Sequence, residues 1–388
     1  MIKKLSIIFF SIFFSFIIIE TYFQIIERTN LWKIFNTIKP ILGEPDYQMG
    51  FKFTPSTNKI WLKENKNRIK INKYGIHDHE IKDVKNRIVI TGNSMIEALR
   101  VELDKNFENI TEKNLNQFAN IQINNLAMSG HGPLRQLIML ENYGYDLKPN
   151  LVIMFLPITE FVNNELTNDS YNPAYKLFDN KVIRSYSFRE RYQIKMRDNY
   201  LMDKLLFLIR EFSTLRMFYF MSKQNIYETL GIKKDIENTK INLEKSCPSN
   251  KIKSLENLFL KKIDKNKVKI ADGFFNDLHN SIKNNRTKAI LFITGLSYFN
   301  KCDKDNEISN LIINNLNNNY SNKYLKFYDF ENLLFNYLKK ISKKETSILR
   351  KEMYGFKNNI GNGHLNYSGH FIYSQILTDI IKKNFQYE

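Results

Sequence analysis

At 388 residues the chain can hold one large α/β domain with an insertion, or two small domains. Hydrophobic residues make up 43% and aromatic residues 14%, which excludes a disordered chain. The net charge of +18 invites a nucleic-acid reading, but the lysines are spread along the chain among Asn and Ile, with no basic stripe interleaved with stacking aromatics. Nucleic acid is therefore not an expected partner, and attraction to anionic lipid headgroups is the better use of the charge.

Residues 5–19, LSIIFFSIFFSFIII, carry no charge and follow Lys3 and Lys4; apolar character resumes after Glu20 at Tyr22, Phe23, Ile25 and Ile26. A span needs about 20 apolar residues, so residues 1–27 are read as a membrane anchor with Glu20 near the far interface. A cleaved signal peptide is the alternative, but Glu-Thr-Tyr-Phe-Gln follows the run where a small-residue cleavage site would stand. The leading lysines place the N-terminus in the cytoplasm, so the remainder faces outward from a single-pass inner-membrane helix. Cys247 and Cys302 suit such an oxidising compartment, either paired or as separate thiols, and neither has the neighbours of a metal site.

Residues 28–85 are mixed and turn-rich, and are expected as an extended lead-in packed on the domain that follows. From residue 86 a βα rhythm begins. Strands are expected at RIVITG (87–92), NIQINNLA (120–127), NLVIMFLP (150–157), KAILFITG (288–295) and KYLKFYDF (323–330). Helices are expected at about 95–117, through LRQLIMLENYGYD, and at about 367–384. This alternation implies a flavodoxin-like, doubly wound parallel sheet over 86–388. Residues 160–285 lose the rhythm and read as a mostly helical insertion.

Open α/β sheets bind ligands at the carboxyl ends of their strands. Three such ends are chemically distinctive: Thr91-Gly92-Asn93-Ser94, Ser129-Gly130-His131-Gly132, and Gly361-Asn362-Gly363-His364 before the last helix. A Ser opening a helix would gain the positive dipole end for an oxyanion, although an isolated Ser there is more often an N-cap. A loop His is usually a surface residue, yet one beside an Asx two residues earlier is placed to act as a general base. No metal site is apparent; His77 and His79, flanking Asp78, read as a surface turn. No cofactor is implied, since Gly92 is followed by neither GxGxxG nor GxxxxGK.

In register, RIVITGNSM, INNLAMSGHGPLRQL, DLKPNLVIMFL and NGHLNYSGH resemble the SGNH (GDSL-like) hydrolase family, block by block over about 70–160 and 285–385. The resemblance implies Ser94 as nucleophile, His364 as base, an oxyanion hole of the Ser94 and Gly130 N–H groups, and Gly369 at the final helix start. Asn93 stands where the family usually has Asp. Two departures are larger. Thr159 falls where the family has an Asn oxyanion donor, with Asn163 and Asn164 as substitutes only if the loop is re-routed. Asn362 falls where the family has the triad Asp, and an Asn holds a tautomer without stabilising an imidazolium by charge. The resemblance thus implies a membrane-anchored esterase or acyltransferase acting on acyl esters, envelope glycans among them. The rival is a weak or inactive member that binds glycan or scaffolds envelope assembly.

Overall fold

The expected strands form because each is a short apolar run that a sheet can bury on both faces. The computed structural model describes residues 2–28, 42–61, 64–161, 166–167, 172–190, short stretches between 204 and 218, 265–295 and 305–385. Cys247, Cys302, Asn163 and Asn164 lie outside these residues, as does most of the amphipathic stretch 187–212.

The N-terminal helix α1 spans Ile2–Arg28, and its Lys4–Ile25 portion is long and apolar enough to cross a membrane, with mean hydropathy 2.0. Phe9, Phe10, Ile12 and Phe13 on it are exposed to the surroundings. Glu20 is buried: its carboxylate accepts the backbone N–H groups of Ser213 and Thr214, each at 2.9 Å.

The lead-in is more structured than expected. It forms two antiparallel hairpins, β1 (Gly43–Asp46) with β2 (Gly50–Phe53) and β3 (Asn58–Trp61) with β4 (Asn67–Lys70). The chain then covers the sheet edge, and His77 and Asp78, expected at a surface turn, are buried at 2% and 1% exposure. Asp78 is pulled inward because Asn124 and Asn125 of the edge strand donate to its carboxylate at 3.3 Å. Burial, little offset by these bonds, pushes its carboxyl up to about 6.

The central sheet consists of β5 (Asn86–Thr91), β6 (Ile121–Asn125), β7 (Leu151–Pro157), β10 (Lys288–Thr294) and β11 (Leu325–Asp329). Their order is β11-β10-β7-β5-β6 and every pairing is parallel, the 2-1-3-4-5 arrangement of a flavodoxin-like doubly wound sheet. Side chains alternate between two cores. Val89, Val152, Met154 and Leu291 face α3 (Pro133–Met139), α4 (Lys265–Asn284) and α5 (Asp305–Tyr320). Ile88, Ile90, Phe155 and Phe292 face α2 (Phe107–Leu115), α6 (Phe330–Ile341) and α8 (Tyr367–Asn384), with the short helix α7 (Thr346–Glu352) leading into the final loop. The expected insertion holds a hairpin, β8 (Ala174–Phe178) with β9 (Lys181–Ser185), and ends earlier than expected. Helix α4 belongs to the wound sheet, since Phe274, Phe275, Leu278 and Ile282 enter its core.

A helix that follows a parallel strand returns antiparallel to it, so the N-terminus of α2, after β5, lies at the carboxyl edge of the sheet. The start of α8 is tied to it there: the Phe107 N–H at the start of α2 donates to His370 Nδ1 in the first turns of α8, at 3.2 Å. The strand order reverses between β5 and β7, which puts the expected crevice beside the end of β5.

Candidate active site

Ser94 lies just beyond β5, but not at a helix start. The chain makes one tight turn in which the Asn93 carbonyl accepts the N–H groups of Ile96 and Glu97, each at 3.0 Å. Asn93 Oδ1 accepts the Met95 N–H at 3.1 Å, closing an Asx turn. Helix propagation ends at Ala98, whose φ of 60° is left-handed, and α2 begins only at Phe107 under an Asn106 cap. The helix expected over 95–117 is therefore replaced by a turn and a later, shorter helix, and Ser94 does not gain a helix dipole.

Gly130 sits in the loop before α3 with φ of 76°, a conformation that suits a residue without Cβ. Its loop is drawn to the Ser94 turn at two points. The Met128 N–H donates to the Gly92 carbonyl at 3.1 Å, and the Ser129 N–H donates to Glu97 Oε1 at 2.8 Å. The Ser129 hydroxyl also donates to Glu97 Oε2. Among the described residues, neither the Ser94 N–H nor the Gly130 N–H donates to a protein group. His131, next in the loop, is buried, and burial depresses its imidazole to about 3. Thr159 lies in the 3-10 turn Ile158–Phe161 at the end of β7, and its side chain is outside the described residues.

His364 precedes α8 in a loop held by backbone bonds. The Gly355 N–H donates to the His364 carbonyl at 2.8 Å, and Leu365 bridges Tyr354. Asn366 caps α8 by accepting the Gly369 N–H at 3.1 Å, while its own amide donates to the carbonyls of Glu352 and Gly355.

The carboxylate that meets His364 comes from the lead-in. Glu64, between β3 and β4, puts both oxygens 2.9 Å from His364 Nδ1, and its Oε2 also accepts the His364 N–H at 3.1 Å. Burial would raise the Glu64 carboxyl; the hydrogen bonds and charge of His364, with Arg100 behind them, outweigh it and hold the group at about 2. An ionised carboxylate only accepts, so Nδ1 carries the proton and Nε2 is the basic nitrogen of the neutral ring. Gly363 makes the approach feasible: its φ is 99°, and a Cβ there would stand 2.8 Å from Glu64 Oε2. The contact with Nδ1 expected of Asn362 is made by Glu64. Asn362 is exposed and makes no side-chain hydrogen bond to His364 among the described residues, because its backbone is turned into the 359–362 loop by a bond to Asn359.

A chain of contacts through Arg100 links the Ser94 turn to His364. Arg100 is 4% exposed, and its guanidinium lies 3.8 Å from Glu64 Oε1 on one side and 3.4 Å from Glu97 Oε2 on the other. The Trp61 ring covers it at 5.2 Å. The lead-in also clamps the chain after Ser94: Asn65 donates to the Arg100 carbonyl at 2.8 Å, and Asn67 to those of Leu99 and Val101 at 3.0 and 2.6 Å. No hydrogen bond joins Ser94 Oγ to His364 among the described residues, so proton transfer would need a side-chain rotation or a bound substrate to close the gap. Glu64, Glu97 and Arg100 were not singled out by sequence. Glu97 and Arg100 do carry a signal, recurring at three-residue steps after Ser94, whereas Glu64 carries none because its partner is 300 residues away.

No protein-family model matches the sequence, and no curated protein does. Several solved structures are similar in architecture. A GDSL-like lipase from Bacteroides thetaiotaomicron is 14% identical, with 78% of this chain and 92% of that one covered and a TM-score of 0.31. A lipase/acylhydrolase from Enterococcus faecalis is 10% identical over 78% of this chain and 98% of its own, at a TM-score of 0.34. A psychrotrophic esterase from Pseudoalteromonas sp. is 10% identical over 77% and 98%, also at 0.34. The fold assignment rests on the strand order and registers of the chain itself.

Proposed function

We propose that this chain is a membrane-anchored ester hydrolase of SGNH type, working on acyl esters outside the cytoplasm through Ser94, His364 and Glu64. The observation that carries the reading is the paired contact of the Glu64 carboxylate with His364 Nδ1. It supplies the charge that Asn362 lacks, and so removes one of the two grounds for reading the site as inactive.

In the proposed reaction the Ser94 hydroxyl attacks the acyl carbonyl while His364 Nε2 takes its proton. The Nδ1–H keeps its hydrogen bond to the Glu64 carboxylate, whose negative charge stabilises the imidazolium that forms. The oxyanion takes hydrogen bonds from the Ser94 and Gly130 N–H groups. Collapse expels the alcohol, which receives the proton from Nε2, and leaves the acyl group on Ser94. Water, or the hydroxyl of an acceptor such as an envelope glycan, then repeats the steps in reverse. The apolar helix Lys4–Ile25 would hold this site at the membrane surface, with the catalytic domain in the periplasm.

The test is hydrolysis of a short p-nitrophenyl acyl ester by the full chain in detergent, with a serine-reactive phosphonate as a second probe. Wild type should turn over the ester and be labelled on Ser94. Ser94→Ala should lose labelling and about 10⁴-fold or more in kcat. Activity that survives in Ser94→Ala rejects the mechanism; a folded wild type that neither hydrolyses nor labels favours a binding or scaffolding role.

A further inference from the structure

The buried charges behind the site form one line, and its geometry suggests more than packing. Glu97 belongs to the Ser94 turn and grips the loop of Gly130 by accepting both the N–H and the hydroxyl of Ser129. Glu64 belongs to the lead-in and holds His364. One guanidinium, that of Arg100, lies between the two carboxylates, almost wholly out of water and under the Trp61 ring. Two carboxylates brought this close without a cation would not both stay ionised, and the more deeply buried would take up a proton.

We infer that Arg100 is a positioning residue that ties the oxyanion loop to the base, holding Glu97 and Glu64 ionised together so that the Gly130 N–H and the His364 ring are set by the same group. This deepens the proposed function and rests on it for its effect on rate, though not for its effect on His364. Glu97, fully buried, is the weaker link: burial raises its carboxyl against the lowering effect of Ser129 and Arg100. Loss of the guanidinium would protonate it, weaken its hold on the Ser129 N–H and free the Gly130 loop. On the other side, Arg100 opposes the positive charge of His364 while Glu64 favours it. The other titratable groups facing Arg100 are His77 and His370, which burial depresses to about 4 and about 3, so they stay neutral above pH 5 and do not mask the effect.

The experiment is histidine-selective NMR on the full chain in detergent, with the His364 signal assigned by its loss in His364→Gln, alongside ester hydrolysis. Arg100→Met should raise the His364 titration midpoint by about half to one pH unit, and Arg100→Lys should leave it near wild type. Glu97→Gln should lower the midpoint, because the guanidinium charge is then shared with Glu64 alone. Simple loosening of the fold would move both variants in one direction, so the opposed signs are diagnostic and Glu97→Gln serves if Arg100→Met does not fold. In hydrolysis, Arg100→Met should lose about 10- to 100-fold in kcat with KM within about twofold. Unchanged midpoints in Arg100→Met and Glu97→Gln, or shifts of the same sign, overturn the inference. Midpoints that move as expected in a wild type that hydrolyses no ester uphold the positioning role while rejecting the proposed function.

Discussion

The turn that carries Ser94 and the loop that carries His364 are positioned in different ways. Ser94 is placed by its immediate neighbours: a buried strand delivers it, the Asn93 carbonyl and side chain close the turn, and Ala98 stops it from becoming a helix. His364 is oriented from the opposite end of the chain, by a carboxylate in the loop that joins the two strands of the β3–β4 hairpin. One half of the site is local, and the other depends on the lead-in docking correctly. Glu64 itself sits at a left-handed φ of 69°, a conformation costly for a residue with a Cβ, which docking to His364 and Arg100 helps sustain.

The contrast can be broken at several points. The largest effect is expected from Glu64→Gln, which keeps an acceptor near Nδ1 but removes the charge. Its kcat should fall by about 10²–10⁴, with the acidic limb of kcat/KM moving to lower pH because the imidazolium loses its counter-charge. Steady-state rates from pH 4 to 9 would measure both; a fall of less than threefold would mean that the lead-in is not part of the machinery.

The same pair should show in stability. The Glu64 carboxyl titrates at about 2 in the folded chain against an ordinary 4.5, so its contribution is fully present above pH 4.5 and is lost as pH falls through about 2. That contribution is about 3 kcal/mol at most. Urea melts at pH 6 and pH 3 should show wild type losing stability relative to Glu64→Gln, whereas parallel losses would count against the ion pair. Asn366→Ala removes the α8 cap and two bonds to the 352–355 segment, and should cost about 1–2 kcal/mol in the same melts. The smallest effect is expected at the position that family pattern would rank highly: Asn362→Ala should change kcat by less than about threefold, since the side chain is exposed and makes no hydrogen bond to His364 among the described residues. A large loss there would restore Asn362 as the partner of His364.

What could be read from the sequence follows the range of the forces involved. The strands were legible because a doubly buried parallel strand must be apolar along its length, as LVIMFL in β7 is. The final helix was legible to the residue, because Asn366 caps it and apolar side chains recur along its inner face. The places of Ser94, Gly130 and His364 in the fold were legible because strand ends and the loop before a helix are where such a sheet exposes polar residues. The helix expected after Ser94 failed because a single left-handed residue, Ala98, ended it, and nothing in the composition of 95–106 announces that backbone state. A surface turn is wrong for His77 and Asp78 because Asp78 is held by amides of an edge strand some 46 residues away and the His77 ring by the Glu97 carbonyl.

The sequence by itself determined that Ser94 would stand at a strand end and that His364 would stand in the loop directly before the last helix. It also determined that an apolar helix would precede the domain. Hydrophobic periodicity and capping are properties of neighbouring residues, and these three placements needed nothing else. Only the tertiary structure decided that the Glu64 carboxylate, and not the Asn362 amide, meets His364, and that Arg100 lies between Glu64 and Glu97. Charge pairing acts through space over a few ångströms, and the residues that meet there are separated in the chain by distances no local pattern encodes.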